Sequence, residues 1–77
     1  MFYWKRTAIG YYEARRDGKI VATAERVKDN GAPVWELFVF DGTPLPKSSR
    51  GSTLRKFCTL GDCKFAYGYA YRKANAE

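Results

Sequence analysis

Thr59-Leu60-Gly61-Asp62-Cys63-Lys64-Phe65-Ala66-Tyr67, continuing through Gly68-Tyr69-Ala70-Tyr71-Arg72-Lys73-Ala74 to Asn75, decides how this chain is read. Thr59 is suited to cap a first helical turn, and Asp62, three residues on, can answer it in a conservative form of the capping box. Leu60, Cys63, Ala66, Tyr67, Ala70, Tyr71 and Ala74 recur at helical spacing and make one apolar face. The spacing predicts a helix over about 60–75. It follows stretches that read as strands, so the chain is expected to fold as a sheet with one helix closing it.

Working back from the helix, Val34-Trp35-Glu36-Leu37-Phe38-Val39-Phe40 is the strongest strand, rich in β-branched and aromatic residues. Its apolar character on both faces predicts a central position. Tyr11 to Arg16 and Lys19 to Val27 read as a hairpin joined by Asp17-Gly18, a two-residue turn signal. A tight turn there would set Arg16 against Lys19, Ala14 against Val21 and Tyr12 against Thr23. A second turn is read at Lys28-Asp29-Asn30-Gly31-Ala32-Pro33. Residues 41–53, Asp-Gly-Thr-Pro-Leu-Pro-Lys-Ser-Ser-Arg-Gly-Ser-Thr, form a long loop. Leu54 to Cys58 can add a short fourth strand, and Phe2-Tyr3-Trp4 an edge strand. The expected fold is α+β: a three- to four-stranded antiparallel sheet over about 11–58, packed against one C-terminal helix, in one small domain spanning 1–77. No internal repeat is present.

Seventy-seven residues support one modest core, with little stability to spare. Hydrophobic content of 45% excludes a disordered chain. Two Trp, six Tyr and five Phe exceed what that core can enclose, so aromatic side chains are expected on the surface, where they serve binding. Fourteen Lys and Arg stand against eight Asp and Glu, a formal charge of +6 and a pI near 9.6. That surplus favours polyanionic partners, chiefly nucleic acid. No apolar run reaches the roughly 18 residues a membrane span needs. The opening residues 1–6 place basic side chains after apolar ones, the reverse of a secretion signal. A cytoplasmic location is expected.

Catalytic readings meet an absence: the chain has no His, the usual general base and commonest metal ligand. Cys58 and Cys63 alone make no tetrahedral zinc site. Flanking the Thr59 cap, they occupy the two positions of a hydrophobic staple and are expected as neighbouring small buried groups. Lys47-Ser48-Ser49 lacks the glycine spacing of a phosphate-binding loop. Glu13, Glu25 and Glu36 are read as cross-strand partners of neighbouring cations. No enzyme, metal or cofactor is expected.

The basic residues fall into groups: Arg15, Arg16 and Lys19 at the first turn, with Arg26 and Lys28 at the far end of that hairpin; Lys47 and Arg50 in the loop, with Arg55 and Lys56 beyond it; and Lys64, Arg72 and Lys73 on the helix. Charges at hairpin tips and in loops can follow a phosphate backbone, an exposed sheet face can enter a major groove, and Arg can read guanine edges.

From about Tyr11 to Asn75, the order of three strands and a helix resembles the DNA-binding domains of plant ethylene-response factors, and is similar to the arm-binding domains of tyrosine recombinases. The local likeness lies in Lys56-Phe57-Cys58-Thr59-Leu60-Gly61-Asp62-Cys63-Lys64-Phe65-Ala66-Tyr67, where the plant family has a Phe, a Thr and an Ala- and Tyr-containing helix. In those families Arg and Trp on the sheet contact DNA, which implies Arg15, Arg16, Arg26 and Trp35 here. The long 41–53 insertion and the first-strand pattern depart from both families. Small phage proteins share the general layout.

These readings converge on a non-enzymatic protein that binds nucleic acid, DNA foremost, through its sheet and basic loops. Arg15, Arg16, Lys19, Arg26, Trp35, Lys47 and Arg50 are the expected contacts. The rival is a phage-encoded inhibitor or adaptor that docks on a host protein or nucleoprotein such as a CRISPR complex, with Trp35 or the Phe65 and Tyr69 edge of the helix as contacts. Self-association, as a homodimer, is the third reading.

Overall fold

The computed structural model describes residues 2–47, 51 and 53–76. Five strands, β1 (Tyr3–Ala8), β2 (Tyr11–Arg16), β3 (Lys19–Asp29), β4 (Ala32–Val39) and β5 (Lys56–Phe57), lie in the order of the chain as one antiparallel sheet. One helix, α1 (Leu60–Ala74), packs on a single face of it. The α+β class holds, but the sheet has five strands instead of three or four, because Tyr3–Ala8 pairs along its length with β2. The sheet therefore begins near residue 3, not 11, and β3 is the central strand instead of β4.

Two turns set the sheet's frame. Asp17 and Gly18 both take positive φ, 53° and 78°, as do Asn30 and Gly31 at 53° and 82°. Positive φ at both central residues is the requirement of the two-residue turn that matches strand twist. The second turn is shorter than the sequence suggested, and Lys28, Asp29, Ala32 and Pro33 are all strand residues. Pro33 is tolerated because β5 reaches only Trp35 and Glu36, so no neighbour asks for its missing N–H.

The register between β2 and β3 differs from the expected one. Arg16 pairs with Lys19 and Arg15 with Ile20, but Ala14 pairs with Ala22 and Tyr12 with Ala24, leaving Val21 as the extra residue of a bulge. The insertion moves Ala22 and Ala24 onto the face of Tyr12 and Ala14. That face continues into Trp4 on β1, Leu37 and Trp35 on β4 and Phe57 on β5. Ala14, Ala22 and Ala24 are fully buried, and these small side chains leave room for the ring of Tyr67 above them.

The helix begins as expected, with Thr59 Oγ1 accepting from the Asp62 N–H at 3.1 Å, and ends at Asn75, whose N–H and side-chain amide both reach the Tyr71 carbonyl. Cys63, Tyr67 and Ala70 are buried, whereas Leu60 is half-buried and Ala74 exposed. The staple does not form as read: Cys63 is buried and Cys58 exposed. Phe57 takes the inward position as β5 leads into the helix, which turns Cys58 outward.

After β4 the chain is tied to the core through Asp41. Its carboxylate accepts from the Tyr67 hydroxyl at 2.7 Å, from Arg16 Nη1 at 3.3 Å and from the Thr43 N–H at 3.0 Å. Leu45 packs on the core, and the loop closes on itself through pairing of Lys47 with Thr53 and a 2.9 Å bond from the Leu54 N–H to the Pro46 carbonyl. No helix among the described residues is long and apolar enough to cross a membrane. The shortest dimension, 17 Å, corresponds to one sheet and one helix layer. No second helix among the described residues covers the other, open face of the sheet, although Glu13 and Thr23 on it are buried among their neighbours.

Candidate nucleic-acid interface

Strand alternation sorts the charges onto two faces. On the open face Lys5, Arg15 and Lys56 lie among Glu13, Glu25, Asp29 and Glu36. Glu25 and Glu36 stand directly opposite one another, while Arg15 is held to Glu13 at 2.7 Å and Lys56 to Asp29 at 3.8 Å. The hydrogen bond and charge of Glu13 together raise the Arg15 pKa further. This face has no cationic surplus.

The helix side carries Arg6, Arg16, Arg26 and Lys28 from the strands, with Lys64, Arg72 and Lys73 from α1. Arg16 is committed to the fold: its guanidinium lies 4.8 Å from the centre of the Tyr71 ring and pairs with Asp41. Burial by itself would raise the Asp41 pKa, but the bonds from Tyr67 and Thr43 and the charge of Arg16 outweigh it and hold the carboxyl below its ordinary value. Burial, then the Asp41 hydrogen bond and charge, push the Tyr67 phenol upward. Arg6, Arg26 and Lys64 have no ion-pair partner among the described residues.

Those three cations surround two aromatic rings. Tyr12 and Trp35 meet edge-to-face, with ring centroids 5.8 Å apart. Arg26 lies over Trp35 at 5.9 Å, and Lys64 over Tyr12 at 4.7 Å. Arg6 is opposite Tyr12 across β1 and β2. Beside them the turn between β1 and β2 folds against β3, the Gly10 carbonyl accepting from the Arg26 N–H at 2.8 Å. Gly10 has φ 73°, and a Cβ there would come within 3.2 Å of the Arg26 Cβ.

Of the residues expected from sequence, Arg26 and Trp35 come together here. Arg15 and Arg16 separate onto opposite faces, because neighbours in a strand alternate. Lys19 is exposed at the first turn, and Lys47 lies exposed in the closed loop. Arg50 lies outside the described residues. Sequence reading missed Arg6, Tyr12 and Lys64. Extending the edge strand past Trp4 would have found Arg6, since alternation places the two on one face. Among the described residues there is no group of three potential metal ligands.

A second exposed feature lies on α1, where Phe65 and Tyr69, 65% and 49% exposed, stack with centroids 6.1 Å apart. Neither a protein-family model, nor a curated protein, nor a solved structure matches this chain.

Proposed function

We propose that this chain is a non-enzymatic nucleic-acid-binding protein that meets its ligand with the helix side of the sheet. The observation that carries the reading is the segregation of charge. The open face balances its cations with carboxylates, while Arg6, Arg26 and Lys64 gather around Tyr12 and Trp35 without ion-pair partners among the described residues. Cations left without carboxylates are available to phosphates, and aromatic rings between them suit bases or sugars. Arg15 and Arg16, which already hold Glu13 and Asp41, serve the fold.

Fluorescence anisotropy of a labelled oligonucleotide across a salt series tests this. Each phosphate contact removed lowers the salt slope by roughly 0.7 to 0.9. An Arg6→Ala, Arg26→Ala variant is expected to lose roughly 1.4 to 1.8 units of slope, whereas Lys5→Ala, on the open face, leaves the slope unchanged. Binding by the parent no stronger than by a neutral protein at low salt removes the reading. The stacked, exposed Phe65 and Tyr69 pair then favours the second one, an inhibitor or adaptor docking on a protein through α1.

A further inference from the structure

An open pocket of about 220 Å³ lies between the β1–β2 turn and the outer part of the sheet, lined by Arg6, Ile9, Gly10, Tyr12, Arg26 and Trp35. We infer that this pocket takes one unpaired base, so that the protein binds single-stranded nucleic acid in preference to duplex. The inference rests on the nucleic-acid reading above and narrows it. No carboxylate lines the pocket, and two of its six lining residues are Arg. Trp35 and Tyr12 supply π-surface, their ring planes inclined at 66° to one another, and the Arg26 guanidinium supplies a further flat cationic face. Ile9, 91% exposed, adds an apolar wall that no core contact explains.

The shape selects the strand state. In a duplex each base is covered above and below by its neighbours, and only edges and backbone are offered to a protein. A base that enters a recess to stack must be unpaired, which is how single-strand binders combine aromatic platforms with a cationic track. Arg6 at one wall and Lys64 over Tyr12 flank the recess, where the phosphates on either side of the inserted base would lie. Gly10 keeps the entrance open: its carbonyl fixes the turn to β3 and it places no side chain against Arg26.

The test measures binding of oligothymidylate and oligouridylate of about ten nucleotides, within the span of one small single-strand-binding domain, against a duplex of equal length. The inference expects single strands to bind about tenfold or more tighter than duplex, the scale of one stacked base. It also expects tryptophan emission to be quenched by the oligonucleotide in the parent but not in Trp35→Phe, where only Trp4 emits. Ile9→Ser, an uncharged change at an exposed turn that does not depend on repacking the core, is expected to weaken single-strand binding. Equal affinity for single strand and duplex, or emission unchanged on binding, overturns the inference and leaves the nucleic-acid reading in place. Binding of neither overturns both.

Discussion

Replacing Tyr67 with Phe removes one oxygen and leaves the ring that packs against Phe2 and Trp4 at centroid distances of 5.0 and 6.0 Å. What is lost is the 2.7 Å bond to Asp41. Tyr67 is fully buried and the Asp41 side chain is 8% exposed, so water has little access to replace the donor. A hydrogen bond to a charged acceptor contributes about 1.5–3 kcal/mol, and Asp41 keeps Arg16 and the Thr43 N–H after the change. The expected cost is therefore about 2 kcal/mol, within that range. Asp41→Ala is expected to cost more, about 3 kcal/mol, because it leaves the buried phenol without an acceptor and Arg16 without its carboxylate. The double variant should fall short of the sum, with a coupling of about 1–2 kcal/mol. Urea denaturation followed by circular dichroism measures each midpoint at a common slope. A Tyr67→Phe protein within about 0.5 kcal/mol of the parent, or strictly additive changes, would refute the claim that this bond ties the 41–53 loop to the helix.

The same network carries a pH signature. The folded Asp41 carboxyl titrates below its unfolded value, so its contribution is present above the ordinary carboxylate range and is lost as pH falls through the folded value; Asp41→Asn should flatten the acid limb of a stability–pH curve. Burial pushes the Cys63 thiol from 9.0 up to about 12, so its contribution is full below pH 9.0 and is lost as pH rises toward 12; Cys63→Ala should lessen the alkaline decline measured by urea midpoints. Gly68 lies inside α1, where an added Cβ would meet Arg72 Nη1 at 3.6 Å and Phe2 Cζ at 3.7 Å, both ordinary contacts. Gly68→Ala is accordingly expected to stabilise the protein by about 0.5–1 kcal/mol, and a lower denaturation midpoint would show that the helix sits closer to Phe2 than this.

What could be read in the sequence was local. The Thr59 cap, the Asp17-Gly18 turn and the helical recurrence of Cys63, Tyr67 and Ala70 each depend on residues a few positions apart, and each is found in place. The bulge at Val21 was not legible, because it is decided by which residues of β3 fit beneath the distant Tyr67, and a one-residue shift exchanges the faces of a strand. Without it the hairpin has no clean apolar side; with it Ala14, Ala22 and Ala24 assemble under the helix. The same limit applied to the candidate site. Arg26 and Trp35 were singled out by the resemblance to sheet-based DNA-binding domains, but their meeting with Arg6 and Lys64 depends on strand pairing and helix placement.

Both margins of the sheet resist growth by strand addition. At β1 the outer margin carries Lys5 and Arg6, and the pairing slips between Arg6 and Ala8, which bends the strand and breaks the regular row of donors and acceptors another chain would need. At β4 the short β5 leaves the first residues uncovered, but Pro33 removes a donor there. A second copy of the chain thus finds no straight, fully bonding border on either side. If the protein gathers along a polyanion as proposed, margins of this kind disfavour the edge-to-edge joining of sheets that high local concentration would otherwise promote.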